Sequence, residues 1–284
     1  MADKPRVTIR ENVVFARAGE RELLCDVFTP PAEPDGAGAP RPGVLLVHGG
    51  GWRGGDKLQM RAYGIQLALE GFVCISSSYR LTPQAPWPAQ IHDVKAALRY
   101  VHSHAEELGI DPRKLAAMGA SAGAHLILLA AGTVGHPEFE GDGDHAGAAT
   151  AVAAAVGIVS PTVLAPRGTR LSGSVPARAL MEDDDEAAAA LASPITHVRA
   201  GYPPTFLITG SADKLVPPSS SMRMYEALAA AGVPTELHIY PDQPHTFVAQ
   251  KRFHRLTCKE ISLFLQRYLG LMPHVDPSLA RATD

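Results

Sequence analysis

The chain has 284 residues, of which 46% are hydrophobic and 19% are charged, and its formal net charge is −3. This length suits one large α/β domain with a substantial buried core. The near-neutral charge balance gives no reason to expect a nucleic-acid partner or an acidic membrane surface.

The termini and the cysteines indicate the compartment. Residues 1–20 contain no apolar run, and no later segment approaches a membrane-spanning length, so we expect neither a leader nor a membrane anchor. Cys25, Cys74 and Cys258 are widely spaced within apolar runs, which predicts buried reduced thiols rather than a disulfide or a metal site. A cytoplasmic location is the resulting expectation.

Strand-like and helix-like stretches alternate along the chain. Two strand-like runs, 7–15 and 23–28, predict a β-hairpin. Beyond them, short apolar runs predict strands, and apolar spacings of three and four predict helices. In chain order the later elements are strand 43–50, helix 58–71, strand 72–79, helix 89–108, strand 114–119, helix 121–132, strand 151–160, strand 203–210, helix 219–232, strand 235–240 and helix 252–269. This alternation predicts an α/β fold with a doubly wound, mostly parallel sheet.

Two stretches, 134–150 and 160–195, do not follow this rhythm. They are rich in glycine, proline or acidic residues, and we expect them to form a small lid over one edge of the sheet. The acidic run at 182–186 predicts a solvated helix start rather than a metal site, because acidic side chains are favoured in a first helical turn. Residues 1–284 are therefore expected to form one domain with a small insertion.

A serine flanked by glycines lies between a predicted strand and a predicted helix. Gly119, Ser121 and Gly123 fit a G-x-S-x-G nucleophile turn, in which small residues allow the helix to pack close to the strand. The start of the following helix also favours negative charge developing beside it. Taken alone, the motif equally suits a serine that only caps the helix.

A second glycine-rich loop, residues 47–57, overlaps the end of the strand predicted at 43–50. It contains the sequence His-Gly-Gly-Gly, which starts at His48. Consecutive glycines allow backbone N–H groups to approach an oxyanion closely, so we assign the N–H groups of Gly50, Gly51 and Ala122 as oxyanion donors. A phosphate cradle is the alternative, but the lysine of a phosphate-binding loop is missing. His48 itself is expected to hydrogen-bond the loop rather than to act as a base.

A nucleophilic serine needs a base, and the base needs an orienting acid. Asp213 and His245 each follow a predicted strand, and the order serine, acid, histidine is that of a serine hydrolase with a parallel sheet. Asp242 is the rival acid, but its closeness in sequence to His245 makes a separate strand end the better geometry. His125 is expected to pack within the serine helix. The remaining histidines that we considered lie outside the loops of the site: His238, His254 and His274.

These motifs together resemble the α/β-hydrolase superfamily. The segments "HGGGW", "GASAGAHL", "SPITH", "GSADKLVPPSSS" and "PHTF" occur in consistent order over about residues 20–270. They are similar to the bacterial esterases and lipases related to hormone-sensitive lipase, especially a feruloyl-esterase-like branch. The resemblance implies a carboxylic-ester hydrolase with Ser121 as nucleophile, Asp213 as orienting acid and His245 as base. Ala120 and Ala124 depart from residues common in the group, which bears on the subfamily and the substrate.

Several features of the expected activity follow. No cofactor and no metal are needed, and the expected partner is a small-molecule ester of a short or small aromatic acid. Trp52 and Trp87 are expected as walls of the substrate pocket or as core aromatics, and Arg80 and Asp93 as a structural ion pair. An arylformamidase-like amidase and a non-catalytic receptor on the same fold are the alternatives. The sequence leaves monomer and homodimer open.

Overall fold

A computed structural model describes residues 6–32, 38–166, 168–169, 171–177, 180–181 and 185–272. Strands and helices alternate within these residues. The strands are β1 (Thr8–Ala18), β2 (Arg21–Thr29), β3 (Arg41–Val47), β4 (Val73–Ser77), β5 (Ile110–Ala120), β6 (Ala154–Ile158), β7 (Val163–Ala165), β8 (Ser174–Pro176), β9 (Thr205–Gly210) and β10 (Thr235–Tyr240). The helices are α1 (Arg61–Leu69), α2 (Ala89–Ser103), α3 (Ala105–Leu108), α4 (Ala122–Gly132), α5 (Pro137–Glu140), α6 (Glu186–Leu191), α7 (Pro218–Ala230) and α8 (Lys251–Tyr268).

Eight of the strands form one sheet in the order β1-β2-β4-β3-β5-β6-β9-β10. The predicted β1–β2 hairpin is present, β2 runs antiparallel to both of its neighbours, and the other pairings are parallel. The side chains of β4 and β6 are buried along their whole length, as short apolar runs predict for strands covered on both faces. The expected doubly wound, mostly parallel sheet is confirmed.

Helices cover both faces of this sheet. One apolar core packs α2, α4 and α7 against it, and the other packs α1 and α8 against the opposite face. Because the central strands are parallel, the loops that follow β3, β5, β9 and β10 leave the sheet at the same edge. These four loops carry every side chain that the sequence assigned to catalysis.

The differences from the predicted elements are local. Helix 58–71 is a 3-10 turn, Lys57–Met60, followed by α1, and helix 89–108 is interrupted at His104 between α2 and α3. The β7–β8 ribbon and the short helices α5 and α6 were missed, because elements of three to six residues are too short to show a period. Asp185 caps α6 by accepting from the N–H of Ala188 at 2.8 Å, whereas 182–184 lie outside the described residues.

The two irregular segments pack in different places. Segment 134–150 lies along α2, where Glu140 accepts from the buried ammonium of Lys95 at 2.6 Å and its carbonyl accepts from Arg99 at 2.7 Å. Segment 160–195 contains β7, β8 and α6, and parts of it lie outside the described residues. That these segments form a lid on a single domain stays a prediction.

The remaining general predictions concern thiols, metals and membranes. All three cysteines are buried and free, as expected. Within the described part of the chain, no group of three His, Cys, Asp or Glu side chains is placed to hold a metal ion. No helix there is both long enough and apolar enough to cross a bilayer.

An ion pair holds the loop between β4 and α2. The carboxylate of Asp93, on α2, accepts from the Arg80 guanidinium at 2.7 and 2.9 Å and from the Arg80 backbone N–H at 2.8 Å. Two residues further on, the N–H and hydroxyl of Thr82 donate to the carbonyl of Trp52, at 2.9 and 3.2 Å. The Arg80–Asp93 ion pair therefore fixes the loop between β4 and α2, and this loop in turn holds the glycine-rich loop after β3.

We expect Asp93→Asn to lower the free energy of unfolding by about 2–3 kcal/mol, because it weakens a buried, charge-assisted cluster of hydrogen bonds. Asp111→Asn is the matched control, since it alters an ion pair with an Arg113 side chain that is 87% exposed, and it should cost much less stability than Asp93→Asn. Urea unfolding of both variants checks this. Equal losses in the two variants would contradict a structural role for the Arg80–Asp93 pair.

Candidate active site

Ser121 lies on the sharp turn between β5 and α4. Its backbone has φ 53° and ψ −118°, a strained combination for a residue with a side chain, and its N–H donates to Ile158 at 2.8 Å. A Cβ on Gly119 would overlap the backbone of Gly123, and a Cβ on Gly123 would overlap the carbonyl oxygen of Val47. Glycine is therefore required at both positions for the turn to approach β3, as the motif predicts for a nucleophile elbow.

The side chains of Ser121, His245 and Asp213 form one chain of hydrogen bonds. The hydroxyl of Ser121 is 2.9 Å from Nε2 of His245, and Nδ1 of His245 is 2.7 Å from Oδ2 of Asp213. The Asp213 side chain is fully buried, and its Oδ1 accepts from the N–H groups of Leu215 and Val216 at 2.9 Å each. These bonds leave Nδ1–H to donate to the carboxylate and Nε2 to face the serine hydroxyl. The arrangement suits proton transfer from serine to histidine.

Close backbone contact brings the aspartate and histidine loops together. A Cβ on Gly210 would overlap the carbonyl oxygen of Gln243, so the two loops lie in direct contact beyond the parallel strands β9 and β10. Asp242, the rival acid, is exposed, and its N–H donates to the hydroxyl of Ser211 at 2.9 Å. Among the described contacts, the side chain of Asp242 makes none with His245, whereas Asp213 does. The geometry favours Asp213 as the orienting acid.

The glycine-rich loop passes directly beside the serine. A Cβ on Gly49 would lie 3.3 Å from the Cβ of Ser121, and the next two residues, Gly50 and Gly51, have φ 115° and 60°. Within the described residues, the backbone N–H groups of Gly50, Gly51 and Ala122 have no hydrogen-bond acceptor. Unpaired N–H groups around a nucleophile are the feature that an oxyanion hole requires. Their role as oxyanion donors stays a prediction.

Buried polar contacts hold both ends of this loop. At its start, the ring of His48 stacks on Tyr79 with centroids 4.3 Å apart, and its Nδ1–H donates to Gly49 at 2.7 Å. Burial lowers the pKa of His48, which favours the neutral ring. At its end, the buried Lys57 ammonium is 2.7 Å from the fully buried carboxylate of Asp26 on β2. His48 is placed for the structural role that we expected.

The indole of Trp52 connects this loop to the serine helix. Its N–H donates to Nδ1 of His125 at 3.3 Å, and Nε2–H of His125 donates to the carbonyl of Ala192 at 2.8 Å. Burial lowers the pKa of His125 to about 4, so the neutral tautomer that both bonds require is present above that value. The backbone N–H of His125 also bonds the Ser121 carbonyl at 3.0 Å. His125 thus packs within the helix, as expected, and also positions the neighbouring loop.

A cavity of about 790 Å³ opens beside Ser121. Trp52 is only 2% exposed and does not line it, and Trp87 lines a separate cavity of about 110 Å³. The rings of both tryptophans pack around His125, which fits the core-aromatic alternative rather than a wall of this cavity. The residues that line the cavity are Gly49, Gly50, Gly51, Gln59, Met60, Ala62, Tyr63, Ala120, Ser121, Val159, Leu215, His245, Thr246, Val248, Ala249, Lys251 and His254.

Most of these walls were missed in the sequence. His254 was placed outside the site by its position in the chain, yet it lines the cavity and its ring lies 4.3 Å from that of Tyr63. Lys251 begins α8 and Met60 ends the 3-10 turn before α1, so both likewise lie on the face of the sheet that α1 and α8 cover. Motif spacing carries no signal for such residues, since only the packing of α1 and α8 brings them to the strand ends.

Comparisons with known proteins agree with this architecture. Residues 25–228 match the family model described as BD-FAE. The probable carboxylic ester hydrolase LipM of Mycobacterium tuberculosis is 34% identical over 217 residues, covering 72% of this chain and 48% of that protein. A truncated carbohydrate esterase from gut microbiota superposes with a TM-score of 0.80 at 25% identity, covering 95% of this chain and 99% of that one. Butyrate-bound esterase 2 of Thermogutta terrifontis superposes with a TM-score of 0.77 at 26% identity, covering 96% of each chain.

The sheet, the serine turn and these structural neighbours define an α/β-hydrolase. Within that class, the chain belongs to the BD-FAE family. This confirms the resemblance to the esterases related to hormone-sensitive lipase that the motifs predicted. The chain spans about half the length of the curated relatives it matches, such as LipM and LipC.

We expect the side chains of Trp52 and His125 to be energetically coupled through their hydrogen bond. His125→Leu leaves the buried indole N–H without an acceptor and should lower the free energy of unfolding by about 2–3 kcal/mol, and Trp52→Phe removes the donor instead. The double variant should be more stable than the sum of the single losses predicts, by about 0.5–3 kcal/mol, as measured by urea unfolding. Additive losses would show that the 3.3 Å contact contributes nothing to holding the loop.

Proposed function

We propose that the protein is a serine carboxylesterase whose catalytic residues are Ser121, His245 and Asp213. The observation that carries the proposal is the hydrogen-bonded chain from the Ser121 hydroxyl through His245 to the buried Asp213, at the edge of a large cavity. The names of the relatives, which are esterases or carboxylic ester hydrolases, support the same reaction class.

The geometry supports a two-step acyl transfer. His245 Nε2 accepts the hydroxyl proton as Ser121 Oγ attacks the ester carbonyl, and the resulting oxyanion binds the N–H groups of Gly50, Gly51 and Ala122. When the intermediate collapses, His245 gives its proton to the leaving alcohol and an acyl-enzyme remains. Water then attacks the acyl-enzyme by the same route and releases the acid. Asp213 holds the imidazole in the required tautomer and stabilises its charged form.

The cavity indicates the size of the substrate. At about 790 Å³ it is within the range of sites that bind drug-sized ligands, so it exceeds the needs of an acetyl group alone. We propose a short or small aromatic acyl group combined with a bulkier alcohol. The structural neighbour determined with butyrate bound supports the short acyl group.

Ser121→Ala should reduce kcat on p-nitrophenyl butyrate by about 10⁵-fold or more, to background, because it removes the hydroxyl that His245 Nε2 contacts. A panel of p-nitrophenyl esters from acetate to decanoate, assayed with wild type and variant in parallel, tests this and gives the chain-length preference. Unchanged unfolding of the variant is the control. N-formylkynurenine, added to the panel, tests the amidase alternative. If the protein hydrolyses N-formylkynurenine but none of the esters, the amidase alternative replaces the esterase proposal.

Asp213→Asn should lower kcat by about 10⁴-fold, because an amide favours the wrong histidine tautomer. Asp242→Asn is the matched control, since Asp242 follows the neighbouring strand, is exposed and has φ 59°, which asparagine adopts readily. It should retain activity within about twofold of wild type by the same p-nitrophenyl butyrate assay. A large loss in Asp242→Asn together with an active Asp213→Asn would reverse the assignment of the acid.

A further inference from the structure

The cavity beside Ser121 has a one-sided charge distribution. Within the part of the chain that the structure describes, no aspartate or glutamate lines it, and Lys251 is the one lysine or arginine that does. The other lining groups are glycines, apolar side chains, a few neutral polar groups and two histidines. An apolar cavity with a single cation at its rim suits a ligand that is apolar for most of its length and anionic at one end.

Lys251 has no acidic partner within ion-pair distance among the described residues. By contrast, the two buried lysines are both paired, Lys57 with Asp26 at 2.7 Å and Lys95 with Glu140 at 2.6 Å. The Lys251 side chain is exposed and can turn toward a bound ligand. An ammonium without an internal partner is available for an external anion.

Neighbouring charges strengthen the positive potential at this rim. The segment 251–255 begins α8 and carries Lys251, Arg252 and Arg255, with no acidic residue in the first turn. Arg252 is held 4.8 Å above the ring of Phe253. Basic side chains at the start of a helix oppose the helix dipole, so this cluster does not serve helix stability. In a chain with net charge −3, the cluster concentrates positive charge beside the cavity.

The chain order indicates which half of an ester meets Lys251. His245 Nε2 gives its proton to the leaving oxygen, so the alcohol lies on the His245 side of the reacting carbonyl. Thr246, Val248 and Ala249 follow His245 directly, line the cavity and lead to Lys251 at the start of α8. The alcohol portion of a bound ester would therefore lie along the wall that runs from His245 to the Lys251 ammonium.

We propose that the cavity binds esters whose alcohol portion is apolar or aromatic and carries a carboxylate, and that Lys251 pairs with this anion. The proposal rests on the proposed esterase function. Lys251 then determines specificity through binding and takes no part in proton transfer.

The test compares 4-carboxyphenyl butyrate with 4-carbamoylphenyl butyrate, which has the same acyl group and a neutral group of similar shape. Wild type should prefer the carboxylate by about three- to tenfold in kcat/KM at low salt, mainly through KM, with the preference declining at high salt. Lys251→Met should bring the ratio to about one, Lys251→Arg should keep the preference, and Lys251→Glu should reverse it. Lys259→Met, an exposed lysine on the same helix that does not line the cavity, should leave the ratio unchanged.

The outcomes separate the two proposals. If wild type hydrolyses the neutral ester without preferring the carboxylate, or if Lys251→Met keeps the full preference, the anion proposal is overturned and the esterase proposal stands. If wild type hydrolyses neither ester nor any of the p-nitrophenyl panel, the esterase proposal itself fails. Unfolding of each variant verifies that the substitutions leave the fold intact.

Discussion

The position of the candidate nucleophile depends on one steric constraint, the contact of the serine turn with the end of β3. The backbone of Gly123 lies so close to the carbonyl of Val47 that no side chain fits between them, and Gly119 meets Gly123 in the same way. This contact forces Ser121 into its strained conformation and sets the start of α4 against the glycine-rich loop. Ser121 and the loop residues Gly50 and Gly51 therefore line the same cavity.

The glycine-rich loop has little internal structure and is held from outside. His48 and Tyr79 stack beneath its start, and the Lys57–Asp26 ion pair fixes its end to β2. Between these two ends, the carbonyl of Trp52 accepts a hydrogen bond from Thr82, in the loop between β4 and α2. The indole N–H of Trp52 donates to His125 on α4. Backbone donors stabilise a developing oxyanion well only when they need not move, and these buried contacts suit the loop to its proposed role.

In the proposed enzyme, the hydrogen-bonded chain and part of the cavity wall come from different parts of the fold. Strand ends supply the serine, the aspartate and the histidine, whose mutual distances are set by the pairing of parallel strands. Part of the cavity wall comes from α1, α8 and the 3-10 turn before α1, which cover one face of the sheet. Changes on these helices can alter the size and charge of the cavity without moving the hydrogen-bonded chain. This separation explains how a hydrolase of this fold can change substrates while keeping its reaction.

Local sequence was sufficient for the alternation of strands and helices, the glycine turns and the order Ser121, Asp213, His245. These features depend on backbone geometry over a few residues and on the rule that parallel strands end at one edge. Tertiary structure alone decided the surroundings: Trp52 and Trp87 pack around His125, whereas His254 and Lys251 line the cavity. The direction in which a helix presents its side chains to a site depends on packing between elements distant in sequence. Neither residue type nor spacing contains that information.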